Sequence, residues 1–270
     1  MYNNIYYDRD TNLIHLFDDH KGYLRFPYKK YAYKIDPRGS YLTLDNRKVS
    51  KVTTWSQEEE KEGLVYESDV SPVLRTLLDT YLDDDSIAEN NNIVYIDIEV
   101  DTEHSTSEPE DADNEITAIS FYTSLYDKKF IFILDKKNQV ENKVIDNKYL
   151  YTYDNEEELL ETFLKAYKKY MPTILVGWNS EQYDIIYLCN RITKVLGEEY
   201  TADLSPIKIV KWDQRNHKYI IAGVSCLDYM ILYKKFSINE SASYTLDYIC
   251  KSELGYGKVE YEGTLNDLYQ

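Results

Sequence analysis

The 270-residue sequence is poor in cysteine and has no long apolar run. Its three cysteines form no Cys-x-x-Cys pair, so neither a disulfide framework nor a zinc site is indicated. The start lacks the apolar core of a signal peptide, and no segment approaches the roughly 18 apolar residues of a membrane span. A serine-hydrolase elbow and a glycine-rich phosphate loop are also missing. These absences predict a protein without membrane segments that works in a reducing cytoplasm.

Basic residues are too few for one large class of nucleic-acid-binding proteins. The chain has 31 Lys and Arg against 48 Asp and Glu, a formal charge of -17, which argues against binding mainly through basic contacts to phosphate. Carboxylates that hold divalent cations are the exception, because the cations then face the phosphate. An acidic nuclease is therefore compatible with the composition.

The composition is otherwise globular, with 43% hydrophobic and 29% charged residues, and the length suits two domains. The polar stretch DDDSIAENNN (residues 83–92) separates residues 1–90 from residues 91–270. The first part reads as short strands followed by one helix, with Ser71 as its N-cap and Pro72 in its first turn. This pattern predicts a small α+β domain. The predicted apolar face of the helix consists of Leu74, Leu77, Leu78, Tyr81 and Leu82.

The second part alternates strands and helices, which indicates an α/β domain. One helix is predicted from about Asp154 to Met171, and the acidic stretch 101–115 is predicted to be a solvated loop. Residues 206–223 read as two strands around a polar turn. The remaining predicted strands are IVYIDIEV, EITAISFYTS, KKFIFILD and TILVGWN.

Two segments contain candidate catalytic acids. In VYIDIEV, Asp97 and Glu99 project from the same face of a strand, although a strand with one face in water shows the same alternation. In PTILVGWNSEQYDIIYLCNRI, a strand runs through Gly177 into a turn and a helix that begins near Asp184. A helix-capping role for this aspartate is the alternative, but it explains neither the Gly-Trp-Asn before the turn nor Tyr183.

Together these segments resemble the exonuclease motifs of family B DNA polymerases of T-even-type bacteriophages, DIE followed by GWN-x-x-x-(Phe or Tyr)-Asp. The resemblance covers residues 93–270, and residues 1–92 match the polymerase N-terminal domain by position only. It implies a ribonuclease H-like fold, a mixed sheet flanked by helices. It extends through YDNEEELLETFLKAY, LDYMILYKKFSINESASYTLDYI and ELGYGKVEYEG.

The resemblance also implies a site that hydrolyses the terminal phosphodiester with two Mg²⁺ or Mn²⁺ ions, which suit all-oxygen ligands. Asp97 would bridge both ions, Glu99 would bind one and orient the water, and Asp184 would hold the second. Contacts to the single-stranded 3′ end are implied for Asn179, Tyr183, Thr245 and Leu246. Thr245 and Leu246 could equally serve in packing.

One motif of the family is missing. The third exonuclease motif, Tyr-x-x-x-Asp, is expected shortly beyond Gln270. Asp228 is a weaker substitute for its acid and is better explained as a structural residue. Three other pairs with the right spacing are rejected because of position or the wrong acid, namely Tyr6 with Asp10, Tyr81 with Asp85, and Tyr256 with Glu260.

The sequence thus predicts the N-terminal portion of a DNA-directed DNA polymerase that carries the 3′–5′ proofreading exonuclease. A free-standing exonuclease and a non-catalytic subunit of a split polymerase are the alternatives. The implied partners are the single-stranded primer 3′ end and the primer-template, a sliding clamp bound through residues beyond this chain, and the remaining polymerase domains, in the same chain or in a second one. The implied location is the cytoplasm of an infected bacterial host.

Overall fold

The computed structural model describes residues 1–102 and 106–259. The chain forms two compact units, Met1–Glu89 and a second unit that starts at Asn90. The boundary predicted from the sequence lies between residues 90 and 91, within the polar stretch 83–92. No helix in the described part of the chain has the length and apolar character needed to cross a membrane.

The first unit contains two antiparallel sheets, one of three strands in the order β1-β2-β3 and one of four strands in the order β5-β6-β4-β7. Its elements are β1 (Tyr2–Asp8), β2 (Leu13–Asp18), β3 (Gly22–Pro27), β4 (Ala32–Ile35), β5 (Tyr41–Leu42), β6 (Lys48–Val52), α1 (Gln57–Lys61), β7 (Val65–Tyr66) and α2 (Pro72–Tyr81).

Helix α2 begins as predicted but buries a different face. The Ser71 hydroxyl accepts a hydrogen bond from the Leu74 amide at 3.2 Å, and Pro72 occupies the first helical position. The buried side chains are Arg75 and Thr76, whereas Leu74, Leu78 and Leu82 are exposed. The prediction of a leucine-rich buried face is wrong because Arg75 is held inside by its hydrogen bonds to Glu67, at 2.6 and 2.9 Å.

The second unit is built around a seven-stranded mixed sheet in the order β11-β12-β10-β9-β8-β13-β16, with a separate hairpin β14-β15. The predicted α/β class is confirmed. Its elements are β8 (Ile93–Val100), β9 (Ile116–Thr123), β10 (Lys128–Leu134), β11 (Lys143–Ile145), β12 (Lys148–Tyr153), α3 (Glu156–Lys169), β13 (Ile174–Gly177), α4 (Asp184–Val195), α5 (Glu198–Thr201), a 3-10 helix (Ala202–Leu204), β14 (Val210–Asp213), β15 (Lys218–Ile221), β16 (Ser225–Asp228), α6 (Tyr229–Phe236) and α7 (Leu246–Leu254).

Strand β8 has a central position in this sheet. It pairs antiparallel with β9 and parallel with β13, and β13 pairs parallel with β16. Alternate residues Val94, Ile96 and Ile98 are buried, so the other face of the strand points its side chains toward solvent. The core under the sheet includes the predicted apolar face of α3, which comprises Leu159, Leu160, Phe163, Leu164 and Tyr167.

Two features of the second unit differ from the sequence analysis. Strands β11 and β12 were not predicted, although β12 extends the sheet by pairing parallel with β10. The described part of the acidic stretch, residues 106–115, is only partly solvated, because Pro109 and Ala112 are buried. Most of its acidic side chains are nevertheless exposed, as predicted, and the segment is bound to α4 through hydrogen bonds from Asn190 and Arg191 to its carbonyl oxygens.

Candidate active site

Asp97 and Glu99 project together from the solvent-facing side of β8, as the strand alternation predicts. Both side chains are exposed, yet the surrounding protein removes enough water to raise the pKa of each carboxyl. The negative charge of Asp97 further raises the pKa of Glu99. These two acids therefore lie in one region, and each is easier to protonate than an isolated carboxyl.

Asp184 comes to the same place from helix α4. It is the first residue of the helix, and the N-cap is Tyr183, whose side chain makes no capping bond. The Asp184 carboxylate instead accepts a hydrogen bond from the backbone amide of Ile98 at 3.2 Å. Ile98 lies between the two acids of β8, so the bond brings the third carboxylate to their strand. Asp184 is therefore not the N-cap of α4.

Burial decides the protonation of Asp184. Its side chain is 6% exposed, and desolvation, together with the negative charge of Asp97, raises its pKa to about 7 despite the opposing bond from Ile98. A carboxylate that is costly to ionise in the protein alone is favoured in its ionised form by a bound cation.

The turn between β13 and α4 depends on close packing and on a buried aspartate. A Cβ atom on Gly177 would come within 2.5 Å of the Ser180 Cβ and 3.0 Å of the Ile96 carbonyl oxygen. Asn179 has a φ of 64°, a left-handed conformation that Asn tolerates better than most residues. The Asp228 carboxylate accepts hydrogen bonds from the amides of Asn179 at 3.0 Å and Glu181 at 3.3 Å.

Asp228 is thus a structural residue. It is 2% exposed and also accepts hydrogen bonds from the amides of Met230 and Ile231 at the start of α6. With its oxygens satisfied by four backbone donors, it has no need of a metal partner. The other rejected pairs, Tyr6 with Asp10 and Tyr81 with Asp85, lie in the first unit, and Glu260 lies outside the described residues.

Tyr183 is half-buried next to the acids. Desolvation raises the pKa of its hydroxyl, and the negative charges of Asp184, Glu99 and Glu108 add to the effect. Tyr183 also lines a cavity of about 450 Å³ between the end of β8 and residues 106–110. An aromatic ring beside acidic groups and an open cavity could contact a nucleotide.

Thr245 and Leu246 occupy the start of α7. The Thr245 hydroxyl accepts a hydrogen bond from the Tyr248 amide at 3.4 Å and caps the helix, while Leu246 is 38% exposed. The indole of Trp178 donates to the Tyr244 carbonyl at 3.0 Å, which ties this segment to the Gly-Trp-Asn turn. Thr245 therefore caps a helix, and both residues are exposed.

Lys258 is a site residue that the sequence analysis missed. Its positive charge lowers the pKa of both Asp97 and Glu99, opposing desolvation. Its backbone amide donates to the Asp247 carboxylate at 2.7 Å, so the first turn of α7 fixes its place. Its presence in the family-like segment ELGYGKVEYEG was the only signal in the sequence.

The donor chemistry of the site fits a divalent cation. Asp97, Glu99 and Asp184 supply only carboxylate oxygens, which suit Mg²⁺ or Mn²⁺, and burial and the charge of Asp97 raise the pKa of Asp184. Within residues 1–102 and 106–259, no three His, Cys, Asp or Glu side chains converge closely enough to hold an ion. Asp97, Glu99 and Asp184 therefore do not form a closed metal site by themselves.

Comparison with known proteins matches this chain to DNA polymerases. Residues 80–249 match the family model for the DNA polymerase family B exonuclease domain. The chain is 34% identical to the DNA-directed DNA polymerase of Escherichia phage RB69 over 203 residues, which is 65% of this chain and 22% of that protein. It is 32% identical to the DNA-directed DNA polymerase of Enterobacteria phage T4 over 199 residues, 64% of this chain and 22% of that protein.

A more distant relative is the DNA polymerase catalytic subunit of Human herpesvirus 7 (strain JI), 31% identical over 139 residues, 47% of this chain and 13% of that protein. The chain spans about a fifth of the length of the phage relatives it matches. The family model covers more than half of the chain, and the mixed sheet agrees with the ribonuclease H-like fold expected of this family. The chain therefore belongs to the family B DNA polymerases through its exonuclease domain.

Proposed function

We propose that this chain is the N-terminal portion of a DNA-directed DNA polymerase and carries its 3′–5′ proofreading exonuclease. The observation that supports this most directly is the hydrogen bond from Ile98 to Asp184, which brings a buried acid to the strand segment between Asp97 and Glu99. The reaction is hydrolysis of the terminal phosphodiester at the single-stranded 3′ end of a primer. Residues 1–90 form the polymerase N-terminal domain, and the exonuclease domain begins at residue 91.

Asp97, Glu99 and Asp184 would hold two Mg²⁺ or Mn²⁺ ions. When bound, such ions lower the pKa of an attacking water and stabilise the leaving 3′ oxygen. The exposure of Asp97 and Glu99 leaves them accessible to the phosphate, while the charge of Lys258 favours their ionised forms. A further carboxylate is expected from the third motif, in a continuation of the chain or in a second chain.

The 3′ end would be held by residues around the acids. Tyr183 offers a ring at the edge of the cavity beside β8, and Asn179 offers an amide on the turn that Asp228 fixes. Leu246 supplies an exposed apolar contact; Thr245 would act mainly through the helix it caps. The hairpin β14-β15 would help to separate the primer end from its template.

The partners that complete this function are the primer-template, the remaining polymerase domains and a sliding clamp. The place of action is the cytoplasm of an infected bacterial host. We propose these partners and this location from the relatives, which are about five times longer than the segment they share with this chain.

The test is a nuclease assay on single-stranded DNA in Mg²⁺ or Mn²⁺, with the chain joined to the continuation or second chain that supplies the third motif. Asp97→Ala is expected to lower turnover by at least roughly 1,000-fold, because the acid that bridges both ions is lost. Glu157→Gln removes an exposed carboxylate on α3 and should leave turnover unchanged.

Retention of wild-type turnover by Asp97→Ala would overturn the site. Full activity of residues 1–270 alone would favour a free-standing exonuclease. A completed protein that binds DNA but never hydrolyses it would favour the non-catalytic subunit.

A further inference from the structure

A buried ion pair joins helices α3 and α4 behind the candidate site. Glu156 and Arg191 are 6% and 8% exposed. The Arg191 Nη2 donates to Glu156 Oε2 at 2.6 Å, and its Nε donates to Oε1 at 2.9 Å. This bidentate geometry fixes the orientation of both side chains more tightly than a single hydrogen bond would.

Glu156 also reaches the strand beside the acids. Its Oε1 accepts a hydrogen bond from the backbone amide of Ile116 at 2.7 Å. Ile116 is the first residue of β9, where the register against β8 shifts: Glu99 pairs with Ala118, but Val100 pairs with Ile116. Thr117 is therefore the extra residue of a β-bulge opposite Glu99. A bulge changes the direction of neighbouring side chains. Glu156 fixes this bulge because its carboxylate accepts a hydrogen bond from the backbone amide of Ile116.

Arg191 connects the same region to the third acid. It lies seven residues, about two turns, after Asp184 on α4, so both side chains leave the same side of the helix. Its Nη1 donates to the carbonyl oxygens of Ala112 at 3.1 Å and Asp113 at 2.9 Å. The helix that carries Asp184 is thereby attached to the segment that leads into β9.

We propose that the Glu156–Arg191 pair positions the nuclease acids, holding the bulge opposite Glu99 and the helix that starts with Asp184 in a fixed relation. This inference rests on the proposed function, and neither residue touches the substrate. It assigns the pair a role in metal binding and turnover that buried hydrogen bonding alone would not require.

The pair can be probed by changes that retain part of its chemistry. Arg191→Lys keeps the positive charge but loses the planar guanidinium group. The lysine cannot bind Glu156 and the carbonyl oxygens of Ala112 and Asp113 at the same time. Glu156→Gln keeps an oxygen acceptor for the Ile116 amide, whereas Glu156→Ala removes it. Glu156→Ala is therefore expected to lower Mn²⁺ affinity and kcat more than Glu156→Gln does.

A matched control exists at the opposite end of β8. Asn92 is 2% exposed and donates to the Tyr170 carbonyl at 2.7 Å while accepting from the Thr123 hydroxyl at 2.7 Å. Asn92→Ala therefore weakens the same sheet through lost buried hydrogen bonds. It does so at the start of β8, away from the bulge and from Asp184.

The measurements use the completed protein, as in the nuclease assay above, at a temperature where circular dichroism shows every variant folded. Mn²⁺ binding is measured by calorimetry without DNA, and kcat and KM are measured on single-stranded DNA. Arg191→Lys and Glu156→Ala should weaken Mn²⁺ binding and lower kcat by roughly 10- to 100-fold, as for other residues that orient metal ligands. KM for DNA should stay within about twofold of wild type.

Asn92→Ala, with a comparable drop in unfolding midpoint, should retain wild-type Mn²⁺ affinity and kcat. If Arg191→Lys and Glu156→Ala match this control in both quantities, the pair is only structural and the inference is overturned. A wild-type protein that neither binds Mn²⁺ nor hydrolyses DNA would instead overturn the proposed function, and this inference with it, before any variant is compared.

Discussion

At the scale of single residues, the negative charges of the candidate site are opposed by the positive charge of Lys258. The charge of Asp97 raises the pKa of Glu99 and of Asp184, and the charge of Lys258 lowers the pKa of Asp97 and Glu99. Lys258 therefore opposes the desolvation that raises the pKa of the exposed acids, and it competes with any divalent cation for the same carboxylates.

Replacing Lys258 should separate metal binding from turnover. Lys258→Met is expected to tighten Mn²⁺ binding about fivefold, because roughly 1 kcal/mol of repulsion between two cations is removed. Turnover on single-stranded DNA should nevertheless fall about tenfold, since the site loses a positive charge that would stabilise negative charge developing on the phosphate. Calorimetry and single-turnover kinetics measure the two effects.

Lys165→Met removes a lysine from the exposed surface of α3 and serves as the control, with neither quantity changed. Weaker Mn²⁺ binding in Lys258→Met would show that the lysine acts by holding the fold around α7 and not through its charge.

At the scale of elements, the connection from β13 to α4 determines where Asp184 lies. The strand ends at Gly177, whose lack of a side chain lets Ser180 pack against the backbone, and Asp228 holds the following amides. The helix can then begin at residue 184 with its acid against β8. A bulkier residue at the end of the strand would push the turn away from the sheet.

Gly177→Ala is therefore expected to destabilise the protein by about 1–3 kcal/mol, as overpacking of a close contact does. Turnover should fall further than stability alone explains, because the displaced turn carries Asn179 and leads into Asp184. Thermal unfolding and the nuclease assay give the two quantities.

Combining Gly177→Ala with Ser180→Gly removes the 2.5 Å contact and should recover part of the lost stability, with Ser180→Gly alone as the control. No recovery in the double variant would place the strain at the Ile96 carbonyl oxygen and not at Ser180.

At the scale of the whole molecule, stability depends on contacts between residues far apart in sequence. In the first unit, the Tyr81 hydroxyl donates to the Asp18 carboxylate at 2.5 Å across 63 positions, joining α2 to β2. This bond, with amides of Lys21 and His20, lowers the pKa of Asp18 from 3.8 to about 2. The ionised carboxylate is thus stabilised by folding.

The sign of the pH dependence follows from the lowered pKa. Asp18 contributes stability above its unfolded pKa of 3.8, and the contribution is lost as the pH falls toward about 2. Tyr81→Phe should therefore cost about 1–2 kcal/mol at neutral pH, and the difference from wild type should shrink between about pH 4 and pH 2. Urea unfolding at several pH values measures it.

Fluorescence of Trp55 reports on the first unit when Trp178 and Trp212 are replaced by Phe. Tyr2→Phe provides a matched control, because the Tyr2 ring packs 5.5 Å from Tyr81 and its loss of a hydroxyl should not change the pH dependence. A Tyr81→Phe deficit that stays constant down to about pH 2 would contradict the role of Asp18 ionisation.

Local sequence patterns were enough to predict β8 and α3 of the second unit, although not β11 and β12. Alternation in IVYIDIEV defined β8 and the shared face of Asp97 and Glu99, and the caps and periodicity defined α3, because these signals depend only on neighbours along the chain. The two motifs were enough to identify the family, which the family model confirms.

Contacts between residues far apart in sequence depend on how the elements pack. The bond from Ile98 to Asp184, the charge of Lys258 beside β8 and the burial of Glu156 against Arg191 join positions 35 or more residues apart. A first-turn glutamate and a mid-helix arginine resemble ordinary surface residues in sequence. Arg75 illustrates the same limit in α2, because it is buried through its contacts with Glu67 and the Tyr31 ring, on a face that the leucine spacing did not predict. Local patterns fix elements, whereas burial and charge pairing depend on how those elements pack.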